Sequence, residues 1–105
     1  MSKPRARTRR RVLERQLEKL SADREKLFLL EPGGSPARPI RVAASPIVDL
    51  RAASIPCPLC QGALRLDEHA ADVVDGRSVR IARLTCRGCG TPRTIYFELA
   101  PALTN

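Results

Sequence analysis

Aromatic side chains are scarce in this sequence, and this limits the size of the core that it can build. The 105 residues include no tryptophan and only three aromatics, Phe28, Tyr96 and Phe97. Much of the other apolar content is alanine, which buries little surface. Domains with so little core usually need a metal ion, disulfide bonds or a partner to stay folded. We therefore expect one small domain with appendages.

Long apolar runs are also missing. No stretch approaches the roughly 20 apolar residues that a membrane-spanning helix needs. The basic start leads into Val12-Leu13-Glu14-Arg15 and not into the apolar stretch of a secretory signal. We expect a cytoplasmic protein with no membrane partner.

Acidic residues are absent from the first eleven positions, although the net charge of the chain is +8. The six bases of this tail are Lys3, Arg5, Arg7, Arg9, Arg10 and Arg11. Elsewhere acids nearly balance bases. Such a tail attracts polyanions, so these six residues are candidate nucleic-acid-binding residues.

An apolar stripe predicts an amphipathic helix over residues 9–30, after a disordered tail over residues 1–8. Leu13, Leu20 and Leu27 recur every seven residues, with Leu17 between the first two. Ser21 begins a second helix-start signal, so one helix and two short helices both fit the pattern. The stripe can pack on its own domain, form a homodimer or bind a helical partner.

Five prolines between positions 32 and 56 predict a Pro/Gly-rich linker over residues 31–54. Its apolar residues, such as Ile40 and Val48, are too many for a purely solvated linker. We expect this segment to lie extended across a surface, either that of its own domain or that of another protein.

The four cysteines form two pairs with the spacing of a metal site: Cys57 and Cys60, then Cys86 and Cys89. Two residues between paired cysteines allow a tight turn that aims both sulfurs at one point. Four thiolates complete the tetrahedral shell that zinc prefers, with no open position. Gly62 and Gly90 follow the pairs, where glycine allows a positive φ and close approach of backbone N–H groups to sulfur. The pattern predicts one structural Zn²⁺ ion that decides whether the surrounding sheet folds.

Other uses of four cysteines fit less well. Rubredoxin-like iron sites have a similar spacing with a glycine at the position of Gly90, but they usually shield iron with several aromatics. A thioredoxin-like dithiol would leave one pair unexplained. Two short-loop disulfides would be unusual in a protein without a secretory signal.

Residues 55–100 resemble the zinc ribbon family of the four-cysteine type, whose members carry two Cys-x-x-Cys knuckles on a three-stranded antiparallel sheet. Three segments fit such strands: residues 63–66, 78–85 and 94–99, with Asp75-Gly76 as a hairpin turn. In the last two, Val79 and Ile81 alternate with Arg80, and Ile95 and Phe97 alternate with Tyr96. The predicted fold is a small metal-stabilised α+β domain in which this ribbon follows the helix and the linker.

Catalytic constellations are not visible in the sequence. His69 is the only histidine, and the four cysteines already close the metal site, so we expect His69 to be exposed in a loop. Nearby acids, Asp67, Glu68, Asp72 and Asp75, fit the same polar loop. With no Ser-His-Asp set, phosphate loop or open metal site, we expect neither an enzyme nor a small-molecule substrate.

Two functions remain open, because zinc ribbons occur in transcription factors, polymerase subunits, ribosomal proteins and adaptors. The first is association with nucleic acid or a nucleoprotein complex of transcription or translation. In this hypothesis the basic tail binds phosphates, and the ribbon arginines at positions 65, 80, 83, 87 and 93 help to position the protein. The alternative is a protein–protein adaptor or assembly factor that docks through the leucine-striped helix and the proline-rich segment.

Overall fold

The computed structural model describes residues 5–100 and shows a small α+β fold. Six elements follow one another along this range: α1 (Ala6–Leu30), β1 (Ile40–Val42), α2 (Ser45–Ser54), β2 (Leu64–Val74), β3 (Arg77–Cys86) and β4 (Pro92–Leu99). Within it, no helix combines the length and apolar character needed to cross a bilayer.

The four strands form one mixed sheet in the order β1-β4-β3-β2. Strands β2, β3 and β4 are antiparallel neighbours, whereas β1 runs parallel to β4, with Ile40 opposite Phe97. The prediction of a three-stranded antiparallel ribbon therefore lacked the edge strand. Three residues directly after Pro39 carry too short a pattern to predict a strand from sequence.

A tight hairpin joins β2 to β3. Asp75 and Gly76 have φ values of 50° and 78°, as a two-residue type I′ turn requires, and the predicted turn is confirmed. Strand β2 is longer than predicted and runs from Leu64 to Val74. The acids and histidine between positions 67 and 72 are thus strand residues and not loop residues. A register shift between Leu66 and Glu68 interrupts the alternation of apolar and polar residues along β2. The second half of β2 therefore does not continue the pattern of the first half.

The core lies between α2 and one face of the sheet. Val48 and Ala52 of α2 are fully buried. They belong to one cluster with the buried sheet residues Val42, Leu64, Ala82, Leu84, Cys86, Ile95 and Phe97. The predicted alternation of β4 is confirmed, but the residues that β3 contributes to the cluster are Ala82, Leu84 and Cys86. Val79 and Ile81 are also buried, outside that cluster.

The segment predicted as a linker, residues 31–54, is part of the folded unit. It contains β1 and α2, and the expectation that it lies across its own ribbon holds for β1. Pro46 occupies the first turn of α2, where the missing N–H has no helical partner to lose. The prolines therefore mark the borders of short elements and not, as predicted, a stretch of irregular chain.

Helix α1 is one continuous helix of 25 residues with no buried residue. Ser21 lies inside it, so a second helix does not begin there. The helix starts at Ala6, which makes residues 6–8 of the predicted disordered tail helical; arginine and alanine are both good helix formers. At 1.5 Å per residue α1 is about 37 Å long, and the molecule measures 74 × 25 × 22 Å. The helix therefore projects from the sheet.

The C-terminal turns of α1 hold it on the sheet. The guanidinium of Arg24 donates to the carbonyl of Leu59 at 3.0 Å, Glu25 pairs with Arg93, and Phe28 packs against the core. After the helix, Gly33 adopts φ +90° and accepts a hydrogen bond of 2.8 Å from the backbone N–H of Tyr96.

Candidate metal centre

The first knuckle, residues 57–62, is a tight turn between α2 and β2. The backbone N–H of Gln61 donates to the carbonyl of Cys57 at 2.8 Å, and the N–H of Cys57 donates to the carbonyl of Gly62 at 2.9 Å. Gln61 takes the left-handed conformation with φ 64°. The turn thereby brings Cys57 and Cys60 onto the same side of the chain.

The second knuckle, residues 86–91, repeats this geometry between β3 and β4. The N–H of Gly90 donates to the carbonyl of Cys86 at 2.9 Å, and the N–H of Cys86 donates to the carbonyl of Thr91 at 3.0 Å. Gly90 has φ 74°, as predicted. In both knuckles the residue with positive φ directly follows the second cysteine of the pair. In the first knuckle this residue is Gln61, and the predicted Gly62 comes one position later.

The two knuckles bring all four predicted ligands together. Their Sγ atoms lie within 4.8 Å of one another. The sulfurs of Cys57 and Cys89 are 3.7 Å apart, and those of Cys60 and Cys86 are 3.3 Å apart. Four sulfurs about 2.3 Å from a tetrahedral zinc ion would be separated by about 3.8 Å. The cluster can therefore hold a metal ion with little rearrangement.

Gly62 and Gly88 allow the backbone to approach these sulfurs. A Cβ atom at position 62 would lie 3.1 Å from the sulfurs of both Cys60 and Cys86, and one at position 88 would lie 3.3 Å from Cys60. The N–H of Gly62 points at the Cys60 sulfur at 3.4 Å, and the N–H of Gly88 points at the Cys86 sulfur at 3.3 Å. Such N–H groups stabilise thiolates, so the predicted glycine contact with sulfur is present at Gly62.

Hydrogen bonds shift the pKa values of three of the thiols in different directions. The hydroxyl and backbone N–H of Thr91 lower the pKa of Cys89 to about 6. The N–H of Cys89 lowers the pKa of Cys86, whereas the hydrogen bond with Cys86 raises the pKa of Cys60 to about 11. The second knuckle thus supplies the first thiolates, and a bound metal ion must displace the remaining protons.

Arg93 connects the site to α1. Its side chain is only 5% exposed and forms a two-pronged ion pair with Glu25, with Nη1 2.6 Å from Oε2. Glu25 and Cys57 both raise the pKa of Arg93, in that order of effect. The guanidinium also lies over the ring of Phe28, 5.5 Å from its centroid. Arg93 shares the buried face of β4 with Ile95 and Phe97. Its spacing of two and four residues from these apolar positions is a sequence signal for burial.

Several other predicted site residues serve different purposes. Arg65 and Arg83 pair with the nearby acids Asp67 and Glu68, so with Arg93 three of the five ribbon arginines are compensated. His69 is largely buried on β2, with Nδ1 2.7 Å from a carboxylate oxygen of Asp49 on α2. The prediction that it is exposed is wrong, because β2 extends beneath α2.

The predicted nucleic-acid-binding residues lie at the far end of α1 from the metal site. Arg5 precedes the helix, and the arginines at positions 7, 9, 10 and 11 are exposed on its first two turns. Lys3 lies outside the described residues. None of these five arginines forms an ion pair within residues 5–100.

Comparison of the chain with protein families, with curated proteins and with solved structures gave no match. The resemblance to zinc ribbons therefore depends on the cysteine spacing and the geometry of the four sulfurs.

Proposed function

We propose that the protein is a non-enzymatic binding module in which one zinc ion fastens a small sheet, and the sheet presents α1 to a macromolecular partner. The convergence of four cysteine sulfurs within 4.8 Å carries the zinc part of this proposal. Four thiolates fill a tetrahedral shell and leave no position for a substrate or an activated water, so the ion's role is structural.

Zinc fits this donor set better than iron does. Both metals accept four thiolates, and geometry alone does not separate them. The aromatic residue Phe97 shares the core cluster with Cys57 and Cys86, but the other two cysteines are exposed. The exposed sulfurs of Cys60 and Cys89 therefore lack the aromatic shield that a rubredoxin-like iron site usually has.

The partner-binding part is supported by the exposure of α1. The helix extends well beyond the sheet. Apart from Phe28, its large apolar side chains are 46–64% exposed: Val12, Leu13, Leu17, Leu20, Leu27, Leu29 and Leu30. Apolar surface concentrated on a projecting helix is typical of helix-mediated recognition. This favours the adaptor hypothesis over a helix that packs on its own domain.

Nucleic acid is the second candidate partner, and the five arginines at positions 5–11, which have no acidic partner among residues 5–100, favour it. The first acid along the helix is Glu14, and a run of exposed bases can neutralise phosphates and release counterions. The ribbon arginines add little, because most of them are paired with acids.

Metal analysis of the purified protein tests the central part of the proposal. We expect one zinc ion per chain and a colourless solution. One iron per chain with a red visible spectrum, or a metal-free protein that keeps a dispersed NMR spectrum after chelation, would contradict it.

A further inference from the structure

The exposed stripe of α1 lies beyond the part of the helix that contacts the sheet. Arg24 is the first helix residue that bonds to the metal knuckles. Ala6 to Asp23 is 18 residues (23 − 6 + 1), or about 27 Å of helix. Leu13, Leu17 and Leu20 lie in this part, with exposed fractions of 56%, 55% and 46%. Whatever covers them comes from outside the described part of this protomer.

These three leucines have the spacing of a coiled-coil seam. At about 100° per residue around the helix axis, the three leucines fall within a strip roughly 60° wide. Arg24, nearer the C-terminal end of the helix, lies on the same side and bonds to Leu59 of the first knuckle there. The seam positions on either side of them are Arg10 and Arg24, so the apolar seam is short. A partner helix of about 27 Å can lie along this strip up to the point at which the sheet meets the helix.

Charge along α1 is distributed so that a second copy fits in one orientation. Residues 5–15 hold six bases and one acid, a net charge of +5, and residues 16–31 hold three bases and four acids, a net charge of −1. Parallel pairing would place the two arginine-rich halves side by side. Antiparallel pairing instead places the arginine-rich half of each copy beside the less basic half of the other, where Asp23 flanks the strip.

We propose that the protein forms an antiparallel homodimer through the N-terminal part of α1, with Leu13 of each copy packed beside Leu17 of the other. In this arrangement Asp23 lies near Arg9 of the second copy, and the two metal-bearing sheets lie at opposite ends. The inference depends on the proposed function, since it names the partner that the presented helix binds.

Sedimentation equilibrium of the full zinc-loaded chain tests the dimer, with a leucine on another side of the same helix as control. Leu17 and Leu29 are both 55% exposed, but they differ by about 120° around the helix axis. We expect the wild-type chain to dimerise at chain concentrations below about 1 mM. The Leu17→Glu variant should associate at least roughly tenfold more weakly than wild type, and the Leu29→Glu variant should associate as wild type does. A monomer at that concentration, or equal loss in both variants, overturns the proposal.

Orientation is tested with a photo-crosslinking amino acid at Ala6, followed by mass spectrometry of the linked peptides. Antiparallel packing predicts crosslinks to peptides near Arg24 of the second copy, and crosslinks to residues near position 6 overturn it. Zinc content is measured on every sample. A zinc-loaded monomer rejects only the dimer, whereas a folded chain without zinc rejects the proposed function.

Discussion

The guanidinium of Arg93 on β4 forms a two-pronged ion pair with the carboxylate of Glu25 on α1. One buried base thus joins the projecting helix to the strand that follows the second knuckle. Arg24 adds a bond from the helix to Leu59, between the two cysteines of the first knuckle. The position of α1 is therefore tied to the geometry of the metal site.

Replacing Glu25 with Gln should destabilise the protein by about 1–3 kcal/mol, because it leaves the buried Arg93 without its charged partner. The double variant Glu25→Gln with Arg93→Met should be closer to wild type, since it also removes the orphaned charge. Urea unfolding of the zinc-loaded forms measures both. A double variant less stable than Glu25→Gln alone would show that Arg93 contributes mainly through another contact.

The same pair predicts a pH dependence. Arg93 lowers the pKa of Glu25 below its ordinary value of 4.5. The ion pair therefore contributes its full share to the free energy of unfolding above about pH 4.5, and this share is lost as the pH falls through the lowered pKa. The stability difference between wild type and Glu25→Gln should therefore be constant near neutral pH and shrink below about pH 4. Acid would also release a zinc ion held by the four thiolates from both proteins, and the comparison between the two proteins cancels that effect. A difference that does not shrink would show that the Glu25→Gln change acts other than through lost charge.

Single Cys→Ser substitutions at the four ligands should unfold the sheet. The buried cluster is small, and two of its members, Cys57 and Cys86, are themselves candidate ligands. Loss of one thiolate should therefore remove both the ion and most of the dispersed NMR signals of residues 57–99. Ser54→Ala, which changes an exposed hydroxyl next to this region, serves as a control. A zinc-free Cys60→Ser variant with a native spectrum would show that the apolar core alone is sufficient.

How far the sequence predicts this structure depends on how local each signal is. The four ligands, the Asp75-Gly76 turn and the alternation of β4 were predictable because a few neighbouring residues specify each of them. Strand β1 and helix α2 were missed, since three residues are too few to show an alternating pattern and the five prolines of this region indicated a linker instead. The Glu25–Arg93 pair joins residues 68 positions apart, and no spacing rule indicates such a partner. Burial of His69 likewise depends on where α2 packs.

Glycine substitutions should weaken metal binding in proportion to how closely the new Cβ approaches sulfur. Gly62→Ala places a methyl group 3.1 Å from two ligand sulfurs, whereas Gly88→Ala places one 3.3 Å from a single sulfur and 3.7 Å from another. Neither position needs a positive φ, so the comparison isolates contact with the sulfurs. We expect the zinc affinity, measured by competition with a chromogenic chelator, to fall in the order wild type, Gly88→Ala, Gly62→Ala. The reverse order would place the steric limit at the second knuckle.

Deleting the arginine-rich start should show whether the protein also binds nucleic acid. If residues 1–11 grip phosphates, their removal should weaken binding to a DNA or RNA duplex at low salt. It should also flatten the dependence of log K on log salt, by up to about six counterions. The matched control replaces Arg65 and Arg83, which already pair with acids, by Gln and should change the salt slope much less. Fluorescence anisotropy from about 50 to 200 mM salt measures both slopes. Duplex binding that is the same with and without the first eleven residues would remove nucleic acid as a candidate partner of the tail and leave the protein-binding role of α1 as the function to pursue.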